Sequence, residues 1–374
     1  MNIVINAFSA RRGGGQTYLV NLLKYTEEYH DANVFIMAPH SLTLPNAPQI
    51  IKVPINWPTE NPLLRAYWEK TILPHLLIYM KADVLFCPGG VINTKPPSGC
   101  KTITMFRNML PFDYIQRAKY PPGLMRMRNW LLEKAMLRSM QIADLVIFIA
   151  DFPRRMIENR LRGRLKKAVT ITHGIAECFK TDATKPPPRQ PWLPMNGYLL
   201  YVSTFDVYKN QMEVLRGYYR LKQQRKTTEK LILAGFNSTD YGKKVIKEIK
   251  RLGLQQDVIL PGNIPYEVLP SVYFYSKVNI FASECENCPN ILLEALGAGR
   301  PMVVSDRPPM PEFGGDAAIY FNPASPDDLA NKICSFIDDC ELIEKLSGQA
   351  KARSLMYDWR NTASLTWKAI KEFN

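Results

Sequence analysis

Two glutamates flank the start of a predicted helix in the segment FASECENCPNILLEALGAGRPMVVSD. Glu286 lies in the loop before this helix, and Glu294 lies eight positions later inside the apolar run ILLEAL. An unpaired carboxylate is costly to bury, and no basic residue lies three or four positions from Glu294 to pair with it along the helix. We therefore expect Glu294 to bind hydroxyl groups of a ligand. The alternative is one capping glutamate and one exposed glutamate.

The helix between these glutamates is predicted to begin near Pro289, which suits a first helical turn, with Asn287 or Cys288 as its cap. The first N–H groups of a helix have no partner inside it, and the helix dipole favours negative charge there. We therefore expect the next three residues to bind an anion or sugar hydroxyls: Asn290, Ile291 and Leu292.

A second anion-binding loop is predicted after the first strand, in SARRGGGQTYLVNLL. Gly13, Gly14 and Gly15 allow backbone N–H groups to approach an anion closely at a helix start. A plain glycine turn into a helix is the alternative. The spacing is not G-x-G-x-x-G, and the second strand ends without an acidic residue, so a dinucleotide-dependent dehydrogenase is disfavoured.

Strand-like apolar runs alternate with helix-like segments, which predicts an α/β fold with parallel sheets. The first half contains NIVINAF, NVFIMA, DVLFC, TITMF, DLVIFI and AVTI, and the second half GYLLYVS, KLILAG, DVIL, VNIFAS, PMVVS and AAIYF. Between them KTDATKPPPRQPWLP carries five prolines and predicts a stiff linker. We predict a Rossmann-like domain over 1–178, a linker over 179–196 and a second Rossmann-like domain over 197–354, with the C-terminal helix 355–374 as a candidate part of the first domain.

The chain has 374 residues and a formal net charge of +14, which indicates anionic partners such as phosphates, acidic lipids or nucleic acid. Its apolar runs are too short to span a membrane, its N-terminus does not resemble a signal peptide, and we expect a cytoplasmic protein with reduced cysteines. Basic residues form two clusters in the first half of the chain. The first cluster is Arg117, Lys119, Arg126, Arg128, Lys134 and Arg138, and the second is Arg154, Arg155, Arg160, Arg162, Arg164, Lys166 and Lys167. Such clusters are either a solvated surface or a face for an anionic membrane or an acceptor.

These motifs resemble the retaining glycosyltransferases of family 4, which have the GT-B fold of two Rossmann-like domains facing each other across a cleft. The E-x7-E spacing before a small-residue turn and the strand PMVVS looks like the donor-binding signature of that family. SDRPPMPEFGGDAAIYF is similar to the stretch that follows this signature. YVSTFDVYKNQ resembles the first strand and loop of the family's second domain, and Lys209 matches the lysine that this loop supplies to the donor diphosphate.

The resemblance implies a donor-binding role for residues of the second domain. Glu286 would contact hydroxyl groups of the donor sugar, and Glu294 would contact the ribose. Gly262 and Ile264 of PGNIP would line the base.

The implied catalytic residues are Lys209 and Glu286. Lys209, nearby N–H groups and the Gly14–Gly15 loop would stabilise the leaving diphosphate, so electrostatics would dominate catalysis. Family members often have arginine five residues before this lysine, where the chain has Thr204. Diphosphate binding would then rest more heavily on Lys209. Retention would follow without a protein nucleophile, because the acceptor attacks on the leaving-group face.

In the first domain the family commonly has a His-Asp pair, where the segment MFRNMLPFD has Arg107 and Asn108. Neither residue can act as a histidine, so the resemblance leaves them a contact with the donor sugar or the acceptor. HGI at His173 resembles the Asn-Gly-Val turn that ends the family's first domain, and we expect His173 to be structural.

The sequence thus predicts a hexosyltransferase that uses a GDP- or UDP-sugar and a glycan or lipid-linked acceptor. Its expected role is bacterial surface polysaccharide synthesis, with the inner face of the membrane as a candidate location. No D-x-D follows a strand, and the pair Cys285 and Cys288 lacks two further zinc ligands, so no metal or other cofactor is expected. The alternatives are another enzyme on this fold, such as a nucleotide-sugar epimerase or a phosphorylase-like hexosyltransferase, and a basic nucleic-acid-binding protein. No recognisable nucleic-acid-binding module is evident, so nucleic acid is not an expected partner.

Overall fold

The computed structural model describes residues 1–11, 13–26, 32–182, 184–225 and 227–373, which form two compact units. The first unit comprises Met1–Phe112, Pro122–Gly174 and Asp358–Asn374. The second unit comprises Asp113–Pro121 and Ile175–Tyr357. Each unit is a Rossmann-like assembly of one parallel sheet and helices, as the alternating pattern predicts.

The first unit contains a seven-stranded parallel sheet in the order β3-β2-β1-β4-β5-β6-β7. Its strands are β1 Asn2–Asn6, β2 Asn33–Met37, β3 Ile50–Lys52, β4 Val84–Cys87, β5 Lys101–Phe106, β6 Leu145–Phe148 and β7 Ala168–Thr170. All residues of β4 and β6 are buried, as in strands with helices on both faces. The sequence did not predict β3, because it has only three residues and two of them are exposed.

Helices connect these strands and complete the first unit. They are α1 Gly14–Lys24, α2 Pro62–Thr71, α3 Leu73–Tyr79, α5 Leu124–Ile142, α6 Asp151–Leu161 and α14 Trp359–Lys371, while α4 Tyr114–Ala118 lies in the second unit. Side-chain hydrogen bonds join the C-terminal helix α14 to the rest of this unit. The Trp367 indole donates to the Leu22 carbonyl oxygen at 3.2 Å, and the Thr362 hydroxyl donates to the Thr172 carbonyl oxygen at 2.8 Å.

The second unit contains a six-stranded parallel sheet in the order β10-β9-β8-β11-β12-β13. Its strands are β8 Tyr198–Val202, β9 Lys230–Ala234, β10 Val258–Gly262, β11 Val278–Phe281, β12 Met302–Ser305 and β13 Ile319–Phe321. Its further helices are α7 Gln211–Gln224, α8 Asp240–Arg251, α9 Leu269–Phe274, α10 Asn290–Gly297, α11 Met310–Gly314, α12 Pro326–Cys334 and α13 Cys340–Ser354.

The proline-rich stretch predicted as a linker is part of the second unit and packs on it. The hydroxyl groups of Ser271 and Tyr275 donate to the carbonyl oxygens of Pro188 and Pro187, at 2.8 and 2.9 Å. The Arg189 guanidinium lies 4.6 Å from the centre of the Tyr275 ring. These contacts anchor the stretch on and near α9.

Residues 113–121 also differ from the predicted boundaries, because they group with the second unit although the sequence placed them in the first domain. Gln116 and Lys119 of this segment both bind Glu284, in the loop after β11. These contacts join distant parts of the chain, and the strand pattern carries no information about them.

Candidate functional site

The order of the second sheet reverses direction between β8 and β11, which lie side by side. In open α/β sheets ligands bind outside the carboxyl ends of the strands at such a reversal. The loop after β8 carries Lys209, and the loop after β11 carries Glu286. Strand order therefore brings these two predicted catalytic residues to one place.

Lys209 is the last residue of a short 3-10 turn, Val207–Lys209. The Asp206 carboxylate accepts a hydrogen bond from the Val207 backbone N–H at 2.7 Å and caps the turn. Asn210 follows in the left-handed region with a φ of 55°, which asparagine tolerates better than most residues. The buried Tyr201 hydroxyl donates to the Lys209 carbonyl oxygen at 2.7 Å. The backbone beneath the lysine is thus fixed on both sides.

The Lys209 ammonium group forms an ion pair with Oε1 of Glu286. The two side chains are only 11% and 15% exposed. Burial alone would lower the pKa of Lys209, but the Glu286 charge and hydrogen bond and other neighbours raise it above its usual value. Lys209 is therefore held as a cation at the carboxyl edge of the sheet.

The helix α10 begins one residue later than predicted. Pro289 occupies the cap position because its backbone, with φ −81° and ψ 77°, is not helical, and no side chain caps the helix. The prediction of Asn287 or Cys288 as the cap was therefore wrong. The three residues expected to bind an anion or sugar hydroxyls open the helix; Asn290 and Ile291 are half-buried and Leu292 is buried.

Glu294 lies in the middle of α10 and is half-buried. The Tyr273 hydroxyl, from α9, donates to its Oε2 at 3.2 Å. Burial raises the pKa of Glu294 to about 8, and the Tyr273 hydrogen bond opposes this rise only in part. The sequence identified the need for a partner but missed Tyr273, since that residue is 21 positions away on another helix.

Gly262 and Ile264 lie at the carboxyl end of β10, the edge strand that β9 and β8 separate from β11. Gly262 has a φ of +72°, a conformation that glycine adopts readily. Its carbonyl oxygen accepts a hydrogen bond from the Gly235 N–H at 2.8 Å. The Ile264 side chain is half-buried.

The other predicted site residues belong to the first unit. Gly13 turns the chain with a φ of 59°, and α1 begins at Gly14. A Cβ atom added at Gly15 would lie 3.6 Å from Nη1 of Arg107, so this arginine and the glycine loop are neighbours. The Arg107 guanidinium lies 5.3 Å from the centre of the Tyr18 ring. Asn108, the next residue, is exposed.

His173 is buried in the first unit against two aromatic rings, whose centres lie 6.2 Å from each other. The ring centres of Tyr18 and Trp359 each lie 5.3 Å from that of the His173 imidazole. This packing fits the structural role that the sequence indicated.

The described ranges lack two kinds of feature. Neither a cluster of three or more His, Cys, Asp or Glu side chains suited to a metal ion nor a helix long and apolar enough to cross a membrane is present among these residues.

Comparison with known proteins matches residues 187–353 to the family described as glycosyl transferases group 1. An O-antigen chain mannosyltransferase B of Escherichia coli is 26% identical over 250 residues, which are 64% of this chain and 64% of that protein. The alignment thus spans less than two thirds of that relative's length.

Solved structures resemble the whole chain. Sucrose-phosphate synthase from Thermosynechococcus elongatus has a TM-score of 0.76 at 14% identity, with 100% of this chain and 98% of that chain covered. Anabaena HepE in complex with UDP-glucose has a TM-score of 0.73 at 17% identity, with both chains fully covered. At these identities the likeness concerns the fold. The whole chain thus has the GT-B fold, and residues 187–353 match the glycosyl transferases group 1 family.

Proposed function

We propose that the protein is a retaining hexosyltransferase that transfers a sugar from a GDP- or UDP-sugar to a glycan or lipid-linked acceptor, in the synthesis of a bacterial surface polysaccharide. The relative named as an O-antigen chain mannosyltransferase supports the sugar class and the pathway. The HepE structure with UDP-glucose supports a nucleotide-sugar donor.

The observation that carries this proposal is the buried ion pair between Lys209 and Glu286 at the reversal of strand order. A donor diphosphate takes the place of Glu286 as the partner of Lys209, and the freed Glu286 carboxylate accepts hydrogen bonds from the sugar hydroxyls. Positive charge held where the leaving group gains negative charge lowers the barrier to transfer. Glu294, farther along α10, then binds the ribose.

The charge neutralisation assigned to Lys209 and the N-terminus of α10 makes a metal ion unnecessary in this proposal. The acceptor hydroxyl attacks from the face that the diphosphate leaves, so the configuration of the anomeric carbon is kept. Arg107 and Asn108, together with the Gly14–Gly15 loop, contribute contacts to the donor or the acceptor.

We further propose that the protein is cytoplasmic and binds the inner face of an anionic membrane through α5. Its side chains Leu124, Met127, Trp130 and Leu131 are 80, 54, 46 and 53% exposed. Arg128, Lys134 and Arg138 are exposed on the same helix, and the Lys134 ammonium lies 4.4 Å from the centre of the Trp130 ring. Apolar and basic side chains together suit a surface of anionic lipid.

Thermal-shift screening of UDP, GDP, ADP and their sugars tests the donor class, since a ligand at 100 times its Kd stabilises by about 2.7 kcal/mol. The sugar that binds is then incubated with lipid extracts, with and without excess EDTA, and the product's anomeric configuration is read by NMR. We expect transfer with retention in EDTA and its loss in Lys209→Met. Inverted product, or activity abolished by EDTA and restored by magnesium, would refute the corresponding part of the proposal.

A further inference from the structure

The short segment Asp113–Pro121 contacts both loops that carry the ion pair between Lys209 and Glu286. Resting on the proposed function, we propose that Gln116, Lys119 and Tyr120 of this segment are positioning residues that hold the two loops in the geometry needed for transfer.

The first contact is to the loop after β11. Lys119 forms an ion pair with Oε2 of Glu284, and the Gln116 amide donates to the same oxygen at 3.0 Å. Glu284 is two residues before Glu286, and its side chain is only 10% exposed. Burial opposes ionisation of Glu284, but the hydrogen bond and charge of Lys119 and further hydrogen bonds lower its pKa overall. An ionised carboxylate held in this way fixes the loop close to Glu286.

The second contact is to the loop after β8. The Tyr120 hydroxyl donates to Oδ1 of Asp206 at 2.6 Å. The same oxygen accepts the hydrogen bond from the Val207 N–H that caps the turn ending at Lys209. Tyr120 therefore orients the carboxylate that begins the lysine turn.

The two loops are also joined to each other, because the Glu284 N–H donates to the Tyr208 carbonyl oxygen at 2.8 Å. Releasing either contact of the segment therefore loosens the geometry on both sides of the ion pair. Small displacements of catalytic groups lower rates far more than they lower affinity for distant parts of a ligand.

Cys285 allows the loop to be followed without any assay of transfer. Its thiol lies between Glu284 and Glu286 in sequence and is 5% exposed, so it reacts with iodoacetamide only when the loop opens. Fragment-ion spectra separate labelling of Cys285 from that of the half-buried Cys288 on the same peptide, and the exposed Cys178 and Cys340 lie on other peptides.

The experiment compares Lys119→Met, Glu284→Gln, their double mutant and the milder Tyr120→Phe with the wild-type protein. Lys243→Met is the matched control, since Lys243 and its partner Asp240 are 71% and 95% exposed on α8. Labelling of Cys285 is expected to become about tenfold faster in the folded variants and to stay unchanged in the control. Cys285 in the double mutant is expected to be labelled at the same rate as in Lys119→Met or Glu284→Gln alone, because all three variants lack the same ion pair.

The enzymatic readout compares the change in kcat with the change in nucleotide affinity. We expect kcat to fall about 10- to 100-fold while the Kd of the nucleoside diphosphate changes less than about twofold, and Lys119→Arg to restore part of kcat. Unchanged Cys285 labelling in folded variants, or an equal loss of kcat and affinity, overturns the positioning role. A wild-type protein that transfers no sugar overturns the proposed function instead, and the labelling result stands independently of it.

Discussion

The Tyr273 hydroxyl donates a hydrogen bond of 3.2 Å to Oε2 of Glu294, which joins α9 to the centre of α10. With the pKa of Glu294 raised to about 8 by burial, most of this carboxyl group is protonated at neutral pH. A neutral carboxylic acid is far less costly to bury than a carboxylate, which explains how Glu294 fits among the apolar residues of α10 without a cation beside it.

Stability should therefore depend on the protonation of Glu294. The folded state holds this proton up to about pH 8, whereas the unfolded chain releases it near 4.5. The contribution is fully present below pH 4.5 and is lost as the pH rises to about 8, with a slope of at most about 1.4 kcal/mol per pH unit. Urea unfolding from pH 5 to 8 measures this contribution to the free energy of unfolding. Glu294→Gln should flatten the slope, and parallel curves for the two proteins would contradict the assignment.

Asn279 in β11 is a buried amide with unmet hydrogen-bonding capacity. It is 3% exposed, and neither its Oδ1 nor its Nδ2 has a partner among the described residues. It borders a small cavity that Tyr273, Leu292 and Met302 also line. Unsatisfied buried polar groups cost about 1–3 kcal/mol, so Asn279→Leu should raise the free energy of unfolding by about that amount. Destabilisation instead, with the fold intact by circular dichroism, would mean that the amide holds a buried water.

The sequence predicted the elements of this fold better than the contacts between them. All six apolar runs of the second half are strands of one sheet, and the central strands are continuously apolar because helices cover both faces. Strand order then explains why the loops with Lys209 and Glu286 meet.

Side-chain contacts between distant segments could not be read in this way. Tyr273 lies near Glu294 only because α9 packs beside α10, and Lys119 meets Glu284 across 165 residues. Hydrophobic periodicity places a residue on an element, but it says nothing about which neighbouring element supplies its partner. The sequence analysis did not single out Asp206 or Glu284, because their roles depend on contacts with the distant segment 113–121.

Binding of α5 to anionic vesicles should depend on its exposed cations and apolar side chains. Arg128→Glu with Lys134→Glu should weaken sedimentation with anionic vesicles roughly 30-fold or more, because each cation near the surface contributes about 1 kcal/mol. Leu124→Ser with Leu131→Ser should weaken it as well. Leu355→Ser, an exposed leucine of the second unit, is the control. Equal sedimentation of the wild-type protein with neutral and anionic vesicles at low salt would exclude this surface as a membrane contact.

Replacing Glu294 and replacing Glu286 of the E-x7-E pair should impair different properties, nucleotide affinity in the first case and kcat in the second. If Glu294 binds the ribose, Glu294→Ala loses the same hydrogen bonds from the donor and from the free nucleoside diphosphate. Because Glu294 is mostly protonated at neutral pH, these are neutral hydrogen bonds, and calorimetry should show both affinities weakened by about 0.5–1.5 kcal/mol for each bond lost. Tyr273→Phe is the matched variant, because it removes the protein partner of Glu294 and leaves the carboxyl group in place.

Glu286→Ala should act mainly on the chemical step, because Glu286 is proposed to contact the sugar where charge develops. Its removal also releases the Lys209 ammonium from its ion pair, so the diphosphate keeps its cation and nucleoside diphosphate affinity stays nearly intact while kcat falls. Glu286→Gln keeps the shape of the side chain without the charge and separates electrostatics from packing. If Glu286→Ala abolishes nucleotide binding in a folded protein while Glu294→Ala leaves it unchanged, the two roles are reversed.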